Sequence, residues 1–456
     1  MRNVSDLADT IEFRVALVDS SSGMLMTART IDGFQLPRVK IPKWTRPAEE
    51  INVSIREKWA LTSLVLAFLN RADGQPTCAI AEVMSPLGSV LTHELELRSI
   101  ESIDSGELDG DEHALLCGVI AGHPSLCSPF SRLGWLKDAQ DWIKCCVSDH
   151  AVDFSGDVRQ YNSDDTFALV RLSTRNGRSY WLKATGEPNT HEFSVTIELA
   201  KLFPHYLPRV VATRKDWNAW VTEDAGAPLG VTQDFATLTA AVEALADLQL
   251  SSIEHISRLE SAGCMNRRLS VVHAHVAELF AYLEEAMQRQ TSTKVAPIVP
   301  SRLRAIRSIV EKACERMQVL NIPNCLVNGD INLDNILFDG RQFRFTDWAE
   351  GGIGNPFLTL QQVIQHVIRE GENLDWSARL CDAYKMKWLA VLTESQIDSA
   401  FVLMPLLTMV DYLHGRGDWL QSSRRDEPSF QGFARTLGRC MDRAAAKLQL
   451  AEVLEA

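Results

Sequence analysis

The sequence predicts an α+β protein with a separate α+β region at the front, then a small β-rich part, then a large helical part. Three observations carry this. The 456 residues allow two to four folded units, taking roughly 100–200 residues for each. Strand-type runs rich in β-branched and aromatic residues dominate up to Glu223. Beyond Thr232 nearly every segment repeats its apolar residues at helical spacing. The expected divisions are 1–150, 151–225 and 226–456.

In the front region, FRVALVD and LTSLVLAFL read as strands around turn-rich pieces such as DGFQLP, and SRLGWLKDAQDWIKCCV closes it as a helix. Glu49 and Glu50 suit the first turn of a helix, where acids complement the dipole. The next zone offers the β-type runs DVRQYN, FALVRLST, SYWLKAT, RVVATR and AWVTED. One helix interrupts them, His191 to Leu202, whose apolar residues return at helical spacing and which stops before Pro204. FATLTAAVEALADLQL and VVHAHVAELFAYLEEAM then read as amphipathic helices, with one β-type interruption from Leu337 to Thr346. There is no internal repeat and no low-complexity tract.

Composition narrows the classes. With 46% apolar and 23% charged residues, the chain is neither disordered, collagen-like nor a coiled-coil array. A formal charge of −13 gives no basic footprint for a phosphate backbone and argues against nucleic acid as a partner. The ten cysteines form no CxxC pair and no zinc spacing, so reduced thiols are expected, with Cys145 and Cys146 as small apolar residues of a helix. Met1 to Thr10 carries Asp6 and Asp9 and no apolar segment, unlike a secretory signal. The apolar runs Leu64–Leu69 and Phe401–Val410 are far shorter than the ~20 residues that span a bilayer. The expectation is a cytoplasmic protein with no membrane partner.

The chemistry concentrates in LVNGDINLDNILFDGRQFRFTDWAEGGIGNP, residues 326 to 356. Asn335 to Phe338 and Gln342 to Thr346 read as a hairpin across Asp339-Gly340, a dipeptide suited to a tight turn. Asp330 and Asn335 then precede the hairpin, and Asp347 follows it. One loop can therefore hold a carboxylate at a reacting hydroxyl, fold an amide toward a metal, and add a second hard oxygen. The plain alternative is that these residues only cap the hairpin and the next helix.

The segment resembles the catalytic loop and metal-binding segment of the aminoglycoside phosphotransferase and choline kinase-like family, whose enzymes share the protein-kinase fold. Asn328-Gly329-Asp330, Asn335-Ile336-Leu337, Thr346-Asp347-Trp348 and the turn from Gly352 to Pro356 carry the likeness in order. The family's usual histidine is replaced by Asn328, which can also donate and accept. The resemblance covers about residues 150 to 420. It implies an ATP- and Mg2+-dependent kinase of a small-molecule hydroxyl acceptor, with Asp330 as catalytic base or orienter and Asn335 and Asp347 holding the Mg2+.

It also implies that Lys183, in SYWLKAT, contacts the ATP phosphates, with Glu198 favoured as its helix partner and Glu192 the other candidate. Thr166 stands in a glycine-free phosphate loop, Asn162 to Phe167, where Asp164 and Asp165 would repel a phosphate unless they point away. Trp220 to Ala225 resembles the hinge whose backbone holds adenine. Residues 11 to about 120 weakly resemble a Nudix-type fold, yet Arg56-Glu57 is followed by Lys58, Trp59, Ala60 and Leu61, so the paired metal-binding glutamates are absent. For the acceptor, Glu350, Asp411 and Asp418 suit a cationic molecule, though each also reads as a surface charge. His273 and His275 would project apart on a helix and make a poor metal pair. The rival class is a pseudokinase, a nucleotide-dependent scaffold without catalysis.

Overall fold

The computed structural model describes residues 9–455 except 31–32, 44, 70–76, 85–93, 105, 124–127, 148–151, 164–165, 232–233 and 372–373. Asp164 and Asp165 of the expected phosphate loop lie outside the described residues. The chain divides into two units, residues 1–193 with 209–224, and residues 194–208 with 225–456.

The first unit begins with β1 (Thr10–Asp19), β2 (Leu25–Thr30), β3 (Gly33–Gln35), β4 (Arg38–Pro42), α1 (Pro47–Trp59), β5 (Ser63–Leu69), β6 (Cys78–Val83), β7 (Leu95–Arg98), α2 (Gly110–Ala121) and α3 (Trp135–Cys146). The strands form one sheet with the path β3-β2-β1-β6-β5, while β4 also pairs with β1 and β7 with β2. The β1–β6 pair is parallel, Arg14 opposite Cys78 through Asp19 opposite Val83. As the central strand, β1 is buried without a break from Phe13 to Asp19, as a strand covered on both faces is, and its two buried charges are compensated, Arg14 by Glu112 and Asp19 by the Ser22 N–H. Proline at the start of α1 and the first-turn acids Glu49 and Glu50 explain where that helix begins. Asp109 starts α2 with a reciprocal capping box to Glu112.

The unit continues with β8 (Phe154–Ser163), β9 (Phe167–Thr174), β10 (Ser179–Thr185), α4 (His191–Leu202), β11 (Val210–Arg214) and β12 (Ala219–Glu223), in sheet order β11-β12-β10-β9-β8. Strict alternation of half-buried and buried residues along β9 shows one face packed. That face joins the front region in one apolar cluster, with Leu64, Ile80, Trp135 and Ile143 packed with Val158, Val170, Leu182 and Val221. Position 150, expected as a boundary, thus falls inside this unit.

The second unit takes the end of α4 and continues with β13 (Ala227–Pro228), α5 (Phe235–Ser252), α6 (Ile256–Ala262), β14 (Met265–Arg267), α7 (Leu269–Ala274), α8 (Val276–Gln288), α9 (Pro300–Val319), β15 (Cys325–Asn328), β16 (Ile336–Phe338), β17 (Phe343–Phe345) and β18 (Gly351–Gly354). It closes with α10 (Pro356–Gly371), α11 (Leu374–Trp388), α12 (Glu394–Gly415), α13 (Ser422–Arg425), α14 (Pro428–Ala445) and α15 (Leu448–Glu455). The helical reading of residues 271–287 is corrected to two helices, because His275 takes φ −104° and ψ 7° and breaks the hydrogen-bonded run. The single β-type interruption is corrected as well, to the ladders β13-β16-β17 and β14-β18-β15. Their strands have two to four residues, too few for any periodicity to show. By length and composition α12 passes the test for a membrane-crossing helix, but 56% of its apolar window is buried within the protein.

Candidate active site

The loop between β15 and β16 is fixed by its own asparagines. Asn328, 3% exposed, donates from Nδ2 to the Asp347 carbonyl at 2.8 Å and accepts from the Asp330 N–H at 3.0 Å. Its own N–H reaches Thr359 Oγ1 of α10 at 3.2 Å. One amide therefore ties the start of the loop to the residue after the hairpin, using both of its polar ends. Asn335 Nδ2 donates to the Asp330 carbonyl at 3.3 Å, which leaves Oδ1 as its acceptor atom. Thr346 closes the circle by donating its N–H and Oγ1 to the Asn335 carbonyl at 2.9 and 3.2 Å. Asp330, Asn335 and Asp347 are thus gathered by backbone and amide bonds into one neighbourhood.

The hairpin differs in detail from the expectation. Its strands pair Ile336 with Phe345 and Phe338 with Phe343, so four residues, Asp339 to Gln342, turn the chain and the second strand starts one residue later than expected. The Asp339 carboxylate accepts from the N–H groups of Arg341 and Gln342, both at 2.9 Å, and Gly340 takes φ +90°. Those bonds, with Arg344, pull the Asp339 carboxyl down to about 2. Asp347 itself holds φ +60°, a left-handed conformation that aspartate tolerates better than most residues. Such strain persists only where neighbours over-determine it. Here the Asn328 amide and the turn from Trp348 to Gly351, closed at 2.9 Å, do so.

Asp330 is solvent-accessible, yet enough protein surrounds its carboxyl that partial burial, followed by the charges of Glu350 and Asp347, pushes it up to about 6. Arg267 and Arg416 oppose that rise. Arg267 is a residue that sequence reasoning missed. It is 3% exposed and holds Asp411 at 2.7 Å and Glu350 at 3.2 Å. Glycines line its path: a Cβ at Gly352 would lie 2.8 Å from its Cγ and Cδ, and one at Gly415 2.7 Å from Nη2. A Cβ at Gly329 would overlap Nη1 outright. Glycine beside Asp330 is thus explained by an arginine 62 positions earlier in the chain. The signal in the sequence was the density of glycines, not Arg267 itself.

The acceptor candidates are corrected accordingly. Asp411 and Asp418 are each 2% exposed and committed to ion pairs, with Arg267 and with Arg416 at 2.7 Å, so neither is a surface charge. Only Glu350 remains partly accessible. His275 Nδ1 lies 3.2 Å from His414 Nε2 with the rings stacked, whereas His273 approaches Gln318. Among the described residues no group of three or more His, Cys, Asp and Glu side chains is gathered for a metal.

In the first unit Lys183 Nζ donates to Glu192 Oε1 at 2.6 Å. Glu192 is 1% exposed. This corrects the expected partner: Glu198 instead binds Arg258 at 2.6 Å and lies 3.7 Å from Lys201. The reason is helical phase, since six residues at about 100° each turn Glu198 about 120° away from the face that carries Glu192. Phe167 and Trp220 flank the lysine at 5.3 and 5.9 Å. Thr166 is half-buried at the head of β9, and its carbonyl accepts from the Gly186 N–H at 2.7 Å. Trp220 to Ala225 lies where the chain leaves the first unit, at Asp224.

Within the second unit the loop thus gathers a raised carboxyl, an amide oxygen and a second carboxylate, and within the first a lysine is paired with a buried glutamate. The model of the phosphotransferase enzyme family matches residues 157–392, and the chain belongs to that family. No curated protein sequence matches it. Among solved structures it is similar to a choline kinase from Cryptosporidium parvum Iowa II, at 12% identity and a TM-score of 0.49, covering 70% of this chain and 97% of that one. It is similar to a choline/ethanolamine kinase family protein from Mesorhizobium loti, at 14% identity and 0.46, covering 70% and 98%. A macrolide 2'-phosphotransferase from Brachybacterium faecium follows at 17% and 0.41, covering 67% and 98%.

Proposed function

We propose that this phosphotransferase moves the γ-phosphoryl group of ATP, with Mg2+, to a hydroxyl of a small molecule. The observation that carries the reading is the convergence of Asp330, Asn335 and Asp347 around the Asn328 amide. The donor set suits Mg2+, which takes few protein oxygens and leaves the rest of its shell to water and phosphate. Asn335 Oδ1 and the Asp347 carboxylate would hold it. When bound, Mg2+ offsets the charge of the phosphate oxygens.

Asp330 would orient the acceptor hydroxyl and take its proton. A carboxyl raised to about 6 is a better base near neutral pH than an ordinary one, because proton transfer is most effective when the base titrates close to the working pH. Lys183, held by Glu192, would give the phosphates a fixed cation. Keeping both the lysine–glutamate pair and the metal donors favours catalysis over a scaffold role. In the front region α1 ends at buried Trp59, Ala60 turns left-handed and Leu61 is core. Of the positions where a hydrolase would place metal-binding glutamates, Trp59 and Leu61 are buried and Lys58 and Ala60 are exposed, and none is a carboxylate.

The test is ADP release over a panel of hydroxylated amines, sugars and antibiotics, with Asp330→Asn as control. The expected outcome is turnover with one acceptor class that falls by about 10²–10⁴-fold in the variant, with ATP binding retained. Equal turnover in Asp330→Asn would remove the assignment.

A further inference from the structure

The front sheet ends on β5, and its pairing with β6 is interrupted by a bulge between Val65 and Ala67. The Val65 N–H and C=O are met by a side chain. Gln160 of β8 accepts from the Val65 N–H at 2.8 Å and donates from Nε2 to the Val65 carbonyl at 2.7 Å. One amide thereby does what a residue on a neighbouring strand would do, and covers a sheet edge that would otherwise be open. Asn52 of α1 donates to the same Gln160 Oε1 at 2.8 Å, and Asn52 Oδ1 accepts from Ser63 at 2.8 Å. Gln160, Asn52 and Ser63 are 3%, 9% and 7% exposed, so water does not compete for these bonds. β8 has its own irregularity here, between Gln160 and Asn162. Beyond it Ser163, fully buried, donates to the Leu66 carbonyl at 3.5 Å. On the surface Arg159 reaches Glu49 at 2.8 Å.

The brace touches the strand row that carries the lysine. Asn162 lies opposite Leu169, and Leu169 opposite Lys183, so β8, β9 and β10 share a register two residues from Gln160. Thr166 sits between the ends of β8 and β9, where no glycine occurs. We infer that Gln160 is a positioning residue for nucleotide: through Val65 and Asn52 the front region holds the β8 edge of the sheet that carries Thr166 and Lys183. This rests on the nucleotide reading above, and it gives the added front region a task. Groups held in place before binding do not have to be ordered by the ligand, which strengthens binding without a new contact.

The experiment measures ATP–Mg2+ affinity by calorimetry and steady-state kinetics on the full chain for the parent, Gln160→Leu, Asn52→Ala and the surface control Glu49→Ala. Gln160→Leu should raise the Kd and KM for ATP at least tenfold while leaving the acceptor KM within twofold. Asn52→Ala keeps both Val65 bonds and should raise them two- to fivefold, and Glu49→Ala should leave them unchanged. A purely structural role would instead lower the melting temperature with the ATP KM unmoved, and that result overturns the inference. Should Gln160→Leu fail to fold, an unchanged ATP KM in Asn52→Ala overturns it equally. A parent that binds no ATP removes the nucleotide reading and the inference together, whereas a parent that binds ATP alongside equally tight variants removes the inference alone.

Discussion

Replacing Gly329 by alanine adds one methyl group beside Asp330, and the structure says what that group meets. The new Cβ overlaps Arg267 Nη1. Arg267 cannot swing aside freely, because its guanidinium holds Asp411 at 2.7 Å and Glu350 at 3.2 Å, with side-chain exposures of 4% for the arginine and 2% for Asp411. Breaking such a buried pair costs about 3–5 kcal/mol. The backbone offers no easier escape, since the Gly329 N–H donates to the Glu350 carbonyl at 3.0 Å and its carbonyl accepts from Gln362 at 2.7 Å. At roughly 2–4 °C per kcal/mol for a unit of this size, the melting temperature should fall by about 6–20 °C. If the loop yields, Asp330 moves with it, and on the role proposed for Asp330 a displacement near 1 Å is worth on the order of 10²-fold in rate. Thermal unfolding followed by circular dichroism and initial rates below the melting point measure both. A variant that melts within about 2 °C of the parent and turns over at the parental rate would refute the claim that Arg267 is locked.

Glu192→Ala removes a buried partner of the Lys183 ammonium, itself 13% exposed, and should cost up to about 3–5 kcal/mol in denaturant unfolding. Glu198→Ala breaks a pair whose Arg258 is 57% exposed and should cost under about 1 kcal/mol; the reverse order would refute the assigned pairing. Asn328→Ala removes the bonds of that amide to the Asp347 carbonyl and the Asp330 N–H, for an expected loss of about 1–3 kcal/mol and at least a tenfold fall in kcat, checked by calorimetry and rate assays. In metal-free protein the Asp330 carboxyl, raised from its ordinary 3.8 to about 6, favours folding below pH ~4 and loses that contribution as pH rises through about 6. Asp330→Asn should therefore melt higher than the parent above pH ~6, by on the order of 1 kcal/mol after allowing for solvent screening of an accessible carboxyl. The gain should vanish below pH ~4, and a difference that is constant with pH would contradict it.

What the sequence exposed and what it hid follow from the range of each interaction. The Asp330, Asn335 and Asp347 group was legible because its spacing is set locally, by a loop and a hairpin within residues 326–356. Helices such as α4 and α5 were legible for the same reason, their apolar residues repeating over several turns. The two-to-four-residue strands of the second unit were not, and neither was the phase that selects Glu192 over Glu198, which needs the orientation of α4 against β10. Arg267 was the least legible. Its strand β14 pairs with β18, and its partners lie 83 and 144 residues away. No window of sequence contains Arg267 together with Glu350 and Asp411.

That distance also changes what the glycines mean. Read locally, Gly329, Gly352 and Gly354 suggest turns, yet none of the three has a positive φ, so backbone freedom does not explain them. Space does, because each stands where a Cβ would strike Arg267 or its backbone. Size, not flexibility, is thus the property required at these positions, and the requirement comes from a buried cation. The arginine is itself tolerable only because Asp411 and Glu350 compensate it, while Asp411 still has one buried oxygen, Oδ1, with no hydrogen-bond partner. A buried charge held this tightly is weak evidence for stability, since an apolar substitute of similar volume would often do as well. Its position makes sense through Asp330: Arg267 lowers the proton affinity that Glu350 and Asp347 raise, and its guanidinium occupies the space beside Gly329 that fixes the loop. Motif and scaffold are therefore coupled, and a chain that kept Asp330, Asn335 and Asp347 but lost Arg267 would keep the pattern without the geometry.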